Sequence, residues 1–239
     1  MPGDYDGDGK ADRAVYRPAL GVWYVLTSRS AYTAFTVTQW GLSTDVPVPG
    51  DYDGDGKTDL AVYRPASGLW YLRTSSSGYT TFQVYQWGLS SDTPVPSDYD
   101  GDGKTDLAVY RPATGTWHVR TSSSNYTTST ATQWGLSTDT PVPGDYDGDG
   151  LTDFAVYRPA SGLWYLRLSR ANFTTSQVVQ WGLPSDVVVP GDYDGDGKTD
   201  LAVFRPATGV WYVLTSSSGY TTFFTRQWGL GTDVPILKR

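Results

Sequence analysis

Residues 51–64 read Asp-Tyr-Asp-Gly-Asp-Gly-Lys-Thr-Asp-Leu-Ala-Val-Tyr-Arg, an acidic, glycine-rich loop followed directly by an apolar run. The hexapeptide that opens this stretch recurs at a constant spacing of 47 residues, with no insertion anywhere. It begins at Asp4, Asp51, Asp98, Asp145 and Asp192. Self-similarity at a fixed period of this length is typical of repeat architectures. We therefore expect one domain spanning 1–239, built from repeats 4–50, 51–97, 98–144, 145–191 and 192–238.

Each repeat is predicted to contain four short strands. Runs rich in β-branched and aromatic residues alternate with turns rich in Pro, Gly and Ser, and no run keeps a helical period. In the second repeat the predicted strands are 46–49, 60–64, 69–74 and 81–87. Four strands per repeat predict either a β-propeller blade or a turn of a β-solenoid.

Two features favour the propeller. Trp70 and Tyr71 are adjacent, so they should point to opposite faces of their strand, as packing between two neighbouring blades requires. Only Met1-Pro2-Gly3 precedes the first acidic loop, whereas Val234-Pro235-Ile236-Leu237 near the end of the last repeat is a spare copy of 46–49. We expect this C-terminal strand to complete the N-terminal blade and close the ring. The predicted fold is an all-β, five-bladed propeller with four antiparallel strands per blade.

The composition excludes several classes of function. All 25 acidic residues are Asp, there is no Cys, and the formal net charge is −7. The charge argues against nucleic acid as a partner, and the absence of Cys excludes disulfides. No apolar run approaches the length of a membrane span, and no signal peptide opens these residues. Because Asp is a poor helix former, an acidic set without Glu indicates loops and ligation rather than helix surfaces.

The acidic loop carries carboxylates at positions 1, 3, 5 and 9, counted from its first Asp. Ca²⁺ takes six to eight oxygen ligands, and a Gly at position 6 allows three alternate carboxylates to converge. Position 7 is expected to contribute its backbone carbonyl, so its side chain is free to vary; it is Lys in four repeats and Leu151 in the other. The EF-hand opens in a similar way but needs a Glu at position 12 and flanking helices, which this chain lacks.

A solvated acidic turn is the alternative interpretation of this loop. Four carboxylates within nine residues repel one another unless a cation neutralises them, and the pattern occurs in all five repeats. We therefore predict about five Ca²⁺ ions, one per blade. The predicted ligands are Asp4, Asp6, Asp8, Lys10, Asp12, Asp51, Asp53, Asp55, Lys57, Asp59, Asp98, Asp100, Asp102, Lys104, Asp106, Asp145, Asp147, Asp149, Leu151, Asp153, Asp192, Asp194, Asp196, Lys198 and Asp200.

The chain resembles the FG-GAP/VCBS repeat family, the calcium-loop propellers that include integrin α-subunit heads. The resemblance is carried by the Asp-x-Asp-x-Asp-Gly-x-x-Asp loop and the apolar run after it, such as 60–62, and it covers all five repeats. The Phe-Gly and Gly-Ala-Pro elements are absent, with Tyr63-Arg64-Pro65 where the latter would fall, and integrin heads have more blades. The resemblance implies an extracellular or cell-surface, calcium-stabilised scaffold for adhesion or ligand display.

Each repeat also contains a Gln-Trp-Gly-Leu stretch with an Asp three residues after the Leu, and an Arg-Pro after the second strand. One interpretation is that the Arg and this Asp, the fifth Asp of each repeat, pair across a blade boundary or cap turns. The alternative is that the Trp and the Asp belong to five sugar-binding sites between blades, which would make the protein a multivalent lectin. The candidate ligand-binding residues are Trp40, Asp45, Trp87, Asp92, Trp134, Asp139, Trp181, Asp186, Trp228 and Asp233.

No catalytic residues are predicted, and we expect that the protein is not an enzyme. His118 is the single His, and the fifth Asp of each repeat stands alone, so no acid/base pair is evident. The expected partners are calcium and either glycans or a protein ligand, and the chain is expected to be a secreted monomer. The near-identity of the repeats indicates recent amplification or design from a consensus repeat, and the sequence leaves both open.

Overall fold

The structure is a computed structural model that describes residues 2–233 and 235. These residues form five four-stranded antiparallel sheets. They contain no α-helix, only two single turns of 3₁₀ helix at Pro18–Leu20 and Ser169–Ala171. None of their helices is long and apolar enough to cross a membrane. The protein is therefore all-β, with five propeller blades of four strands each, as predicted.

The strands follow one another in chain order within every blade. The first blade contains β1 (Pro2–Gly3), β2 (Asp12–Arg17), β3 (Val22–Leu26) and β4 (Phe35–Gln39). The second contains β5 (Val46–Pro47), β6 (Leu60–Arg64), β7 (Leu69–Arg73) and β8 (Phe82–Gln86). The third contains β9 (Thr93–Pro94), β10 (Leu107–Arg111), β11 (Thr116–Arg120) and β12 (Ser129–Gln133). The fourth contains β13 (Thr140–Pro141), β14 (Phe154–Arg158), β15 (Leu163–Leu168) and β16 (Thr175–Gln180). The fifth contains β17 (Val187–Val188), β18 (Leu201–Arg205), β19 (Val210–Leu214) and β20 (Phe223–Gln227).

The core is made by the two middle strands of each blade. Residues 60–63 of β6 are buried on both faces, whereas β7 alternates between buried and partly buried side chains. Trp70 is fully buried in one hydrophobic cluster together with Tyr63, and the adjacent Tyr71 packs into a different cluster around Trp23. The predicted opposite orientation of Trp70 and Tyr71 is thus confirmed.

The opening strand of the first blade corresponds to residues 49–50 and keeps the register of the other blades, because Gly3 pairs with Asp12 as Gly50 pairs with Asp59. In the second blade the pairing also includes the earlier segment β5, which lies opposite Val62 and Tyr63, whereas β1 lies opposite Asp12 and Arg13 at the start of β2. Val15 is 53% exposed, while the equivalent Val62, which lies opposite Pro47 of β5, is 1% exposed. The sequence did not predict the short strand β1. The segment predicted to complete this blade, 234–237, lies outside the described residues apart from Pro235.

Packing groups the described residues into two compact units. One unit is built on the first two blades and the other on the last two, and the strands of the third blade are divided between them. Nothing in this grouping tests the expectation of a single domain, which stays a prediction.

Candidate metal centres

Each acidic loop is shaped by the Asp at its first position. In the second blade Asp51 Oδ1 accepts the N–H of Gly54 at 2.7 Å, and Asp51 Oδ2 accepts the N–H of Gly56 at 2.9 Å. Both glycines have positive φ, 79° and 82°, which a residue with a Cβ adopts only under strain. The Asp-Gly-Asp-Gly sequence thereby folds the loop back on its own first carboxylate.

The Asp at position 9 comes from the start of the second strand and is buried. Asp59, Asp106, Asp153 and Asp200 are each 0% exposed. Asp59 Oδ2 accepts the N–H of Tyr52 at 2.9 Å, and its Oδ1 accepts the N–H of Ser75 at 2.7 Å. The carboxylate is thus held from both sides, by the loop and by the hairpin between the third and fourth strands.

Three carboxylates converge in every loop. One oxygen from each lies within 4.8 Å of the others, a spacing that suits ligation of a common cation. The converging residues occupy positions 1, 3 and 9 in four loops, and positions 1, 3 and 5 in the first. They are Asp51, Asp53 and Asp59; Asp98, Asp100 and Asp106; Asp145, Asp147 and Asp153; Asp192, Asp194 and Asp200; and Asp4, Asp6 and Asp8.

The electrostatics of these loops fit a bound cation. Desolvation raises the pKa of Asp59 to about 7, and that of Asp106 and Asp153 to about 6, although hydrogen bonds to each carboxylate lower it. In the fourth loop Asp147 Oδ1 is buried and accepts no hydrogen bond. An all-oxygen donor set that contains a buried carboxylate oxygen without a hydrogen bond matches the preference of a hard divalent ion such as Ca²⁺.

The remaining predicted ligands lie in the same loops. Asp55 Oδ1 accepts the N–H of Lys57 at 2.9 Å, which turns the chain at position 7. The other position-7 residues, Lys10, Lys104, Leu151 and Lys198, make the equivalent bond to their own position-5 Asp. That their carbonyl groups bind the ion stays a prediction.

Sequence reasoning missed a serine that supports each loop. Ser75 Oγ donates to Asp55 Oδ1 at 2.7 Å, while its N–H donates to Asp59. The equivalent residues are Ser28, Ser122, Ser169 and Ser216. We interpreted this segment only as a polar turn. The signal was available, because a Ser stands 20 residues after the position-5 Asp in all five repeats.

Successive loops are joined to one another by backbone and side-chain contacts. The N–H of Thr58 donates to Asp4 O at 2.6 Å, and the hydroxyl of Tyr79 lies 3.1 Å from Tyr5 O and 2.9 Å from Thr58 O. Thr105 with Asp51, and Thr199 with Asp145, repeat the backbone bond.

Position 7 also takes part in this joining. The stem of Lys57 crosses Gly7 so closely that a Cβ there would lie 2.5 Å from Lys57 Cε. We predicted that the position-7 side chain is free to vary, but in the structure the Lys57 side chain packs against Gly7 of the preceding loop.

The second predicted set of residues lies where one blade leads into the next. Asp45 has a fully buried side chain that receives Nε and Nη2 of Arg64, each at 2.9 Å, and the N–H of Leu42. The same ion pair joins Asp92 to Arg111, Asp139 to Arg158 and Asp186 to Arg205. Both roles predicted for this Asp, pairing with Arg and capping a turn, are therefore confirmed in these four blade connections. The fifth equivalent, Asp233, caps its turn by accepting the N–H of Leu230.

The tryptophans of this set lie against the following blade. Trp40 Nε1 is 3.4 Å from Tyr71 O, and its ring packs on Phe82 with ring centroids 5.2 Å apart. Trp87, Trp134 and Trp181 direct Nε1 at the equivalent carbonyls of His118, Tyr165 and Tyr212. Trp228, by contrast, is 78% exposed. Shallow cavities of 390 and 260 Å³ adjoin Trp134 and Trp181.

The fold and the loops define a tandem-repeat β-propeller with one acidic loop per blade. The FG-GAP-like repeat model matches residues 51–109, 98–156 and 145–203, and the FG-GAP repeat model matches residues 186–221. These matches cover more than half of the chain, which therefore belongs to the FG-GAP repeat family. No curated protein matches the chain.

Three solved structures are similar to the chain at low sequence identity, and only the first has a TM-score above 0.5. A catalytically inactive virginiamycin B lyase from Staphylococcus aureus with quinupristin is 9% identical, with a TM-score of 0.58 over 95% of this chain and 69% of that one. BBS1N in complex with ARL6DN, soaked with lead, is 13% identical, with a TM-score of 0.49 over 91% and 64%. The V. cholerae biofilm matrix protein Bap1 is 17% identical, with a TM-score of 0.39 over 94% and 38%. The chain thus spans less than two thirds of the last two proteins.

Proposed function

We propose that this chain is a calcium-stabilised FG-GAP propeller scaffold that displays a binding or adhesion surface outside the cell. The observation that carries the proposal is the convergence of three carboxylates in each of the five loops. Because the loops of the first three blades are bonded in succession, and the fourth loop is bonded to the fifth, an ion held in one of them would stabilise the boundary between two blades as well as its own blade. Calcium at extracellular concentrations would fill even weak sites.

No residue is assigned a catalytic role in this proposal. The carboxylates of the loops serve as ligands, and those of the blade connections serve as ion-pair partners. His118 lies against Trp87 with ring centroids 6.4 Å apart, and burial lowers its pKa. The protein is thus proposed to bind rather than to transform its partner.

A melt with and without chelator tests the calcium proposal. One site filled at 100 times its Kd adds about 2.7 kcal/mol of stability. For a domain of this size 1 kcal/mol shifts Tm by about 2–4 °C, so each ion should raise Tm by about 5–10 °C. We expect calcium to raise Tm well above its value in EDTA, and Asp106→Asn to reduce the calcium stoichiometry by one. An equal Tm in calcium and in EDTA would contradict structural calcium sites.

A carbohydrate-binding surface is the second candidate function. The observation that favours it is the Trp181 cleft, where the indole ring lies 5.1 Å from the ring of Phe223 beside Tyr212 in a 260 Å³ cavity. Aromatic faces of this kind suit the C–H surface of a sugar. The neighbouring Asp186 is already engaged by Arg205, so the aromatic rings would carry the contact. A glycan array in calcium tests this, and the absence of binding at millimolar glycan would eliminate it.

A further inference from the structure

The five acidic loops differ at one residue that touches them from outside. The hairpin between the third and fourth strands places a Ser over the position-3 Asp in three blades and an Arg in the other two. The serines are Ser76, Ser123 and Ser217, and the arginines are Arg29 and Arg170. The substitution exchanges a neutral hydroxyl for a cation next to a predicted calcium ligand.

The serines complete the hydrogen bonding of the position-3 carboxylate. Ser76 Oγ donates to Asp53 Oδ2 at 2.5 Å. Ser123 donates to Asp100, and Ser217 to Asp194, at the same distance. A neutral donor orients the carboxylate and leaves its negative charge available to a cation.

The arginines supply a positive charge at the same place. Arg29 Nε lies 3.9 Å from Asp6 Oδ1, and Arg170 Nε lies 4.0 Å from Asp147 Oδ1. Arg29 is also fixed by a hydrogen bond from Nη2 to the carbonyl of Asp6 at 3.0 Å. A guanidinium stays protonated at any pH at which the protein is folded, so this charge is permanent.

The two loops that carry an arginine also share an internal bond. The N–H of Asp8 lies 3.2 Å from Asp4 Oδ1, and the N–H of Asp149 lies 3.3 Å from Asp145 Oδ1. The N–H of Asp8 also lies 3.2 Å from Asp6 Oδ1, and in the other three loops the equivalent N–H is directed at the position-3 carboxylate: Asp55 to Asp53, Asp102 to Asp100 and Asp196 to Asp194.

We propose that Arg29 and Arg170 act as built-in counter-cations, so that the five loops form two classes, three that bind calcium tightly and two that bind it more weakly. The inference rests on the proposed calcium function. A cation near a carboxylate opposes the approach of a second cation, and because both arginines are largely exposed, solvent screens the effect to about a three- to tenfold loss of affinity. The same charge partly neutralises these two loops when calcium is absent.

Calorimetric titration of the chelator-stripped full chain with CaCl₂ tests the proposal. We expect three tighter sites and two sites about three- to tenfold weaker. The double variant Arg29→Ser with Arg170→Ser should show five sites of one class. It places in these hairpins the residue that three other hairpins already carry, so it is expected to fold. The reverse variant Ser123→Arg should leave two tighter sites and three weaker ones.

A matched control separates this effect from a general change of charge. Arg226→Ser removes one positive charge from an exposed residue of β20 whose guanidinium lies 5.5 Å from the ring of Phe224, and it should leave both classes unchanged. Five equivalent sites in the unaltered chain, or two classes retained in the double variant, would overturn this inference while calcium binding stands. If the unaltered chain takes up no calcium, the proposed function and this inference fail together.

Discussion

A single tyrosine hydroxyl joins two successive loops in several blades. Tyr126 is 7% exposed, and its hydroxyl lies 3.1 Å from Tyr52 O in one loop and 2.9 Å from Thr105 O in the next. Its φ of 58° is left-handed, a conformation that costs a residue with a Cβ about 1–2 kcal/mol. The strain is tolerated because the ring and the hydroxyl are fixed by contacts with the two loops.

We predict that Tyr126→Phe destabilises the protein by about 1–2 kcal/mol, because two carbonyl groups lose a buried donor. Urea unfolding followed by tryptophan fluorescence measures the change. Tyr32→Phe is the control, since Tyr32 is 37% exposed and donates to the carbonyl of Ala11 at the surface. Equal stabilities of the two variants would contradict a bridging role for Tyr126.

At the scale of the structural element, the connection between blades is held by a buried ion pair. Asp92 has no exposed side-chain surface, accepts the N–H of Leu89 and receives Arg111 at 2.8 Å. The Asp92 carboxylate caps a turn in the connection between two blades and also pairs with the second strand of the following blade. It therefore fixes the position of the connection relative to that blade. Its charge is compensated in place, which is the condition for burying it.

Removing this carboxylate should be costly. Asp92→Ala leaves Arg111, which is three-quarters buried, without its partner, and we expect a loss of about 2–4 kcal/mol in the free energy of unfolding. Asp233→Ala is the matched control, because Asp233 is exposed and caps the equivalent turn through Leu230, so about 1 kcal/mol or less is expected. Chemical denaturation distinguishes the two, and a loss at Asp92 no greater than at Asp233 would refute the role of the pair.

At the scale of the whole molecule, the dominant property is an acidic charge concentrated in five loops. Of the 25 Asp residues, 20 lie at loop positions 1, 3, 5 and 9, and the formal net charge is −7. Five Ca²⁺ ions would change that charge to +3. Each bound ion would halve the charge of the four carboxylates of its loop, from −4 to −2, and so weaken the repulsion among them.

We predict that calcium reverses the electrophoretic mobility of the protein near pH 7. In EDTA the chain should migrate to the anode, and in saturating calcium it should migrate weakly to the cathode, because the bound ions exceed the net negative charge. Electrophoretic light scattering at low ionic strength measures this, with Mg²⁺ as the comparison. A mobility that stays the same in both buffers would show that the loops do not take up the ion.

Much of the fold followed from the printed residues. The predicted strands of the second blade, 60–64 and 69–74, agree with the observed β6 and β7 to within one residue, because apolar runs between Gly and Pro turns leave little freedom. The predicted opening strand 46–49 is shorter in the structure, ending at Pro47. Proline has no N–H to donate, which weakens pairing at such a segment.

The supporting contacts of the loops could not be deduced in the same way. That Ser75 would lie on Asp55, or Tyr79 on Tyr5, depends on how hairpins and loops from distant parts of the chain pack. The repetition of these residues signals that they matter, but it does not say what they touch.

By itself the sequence determined the repeat, the strand order and the residues that can ligate a cation, because all three depend on local spacing. The tertiary structure decided which carboxylates converge, that the fifth Asp pairs with an Arg of the next blade, and that Arg29 and Arg170 face a loop where other blades have Ser. These contacts join residues that are far apart in the chain, and only the packing of strands and hairpins brings their side chains together.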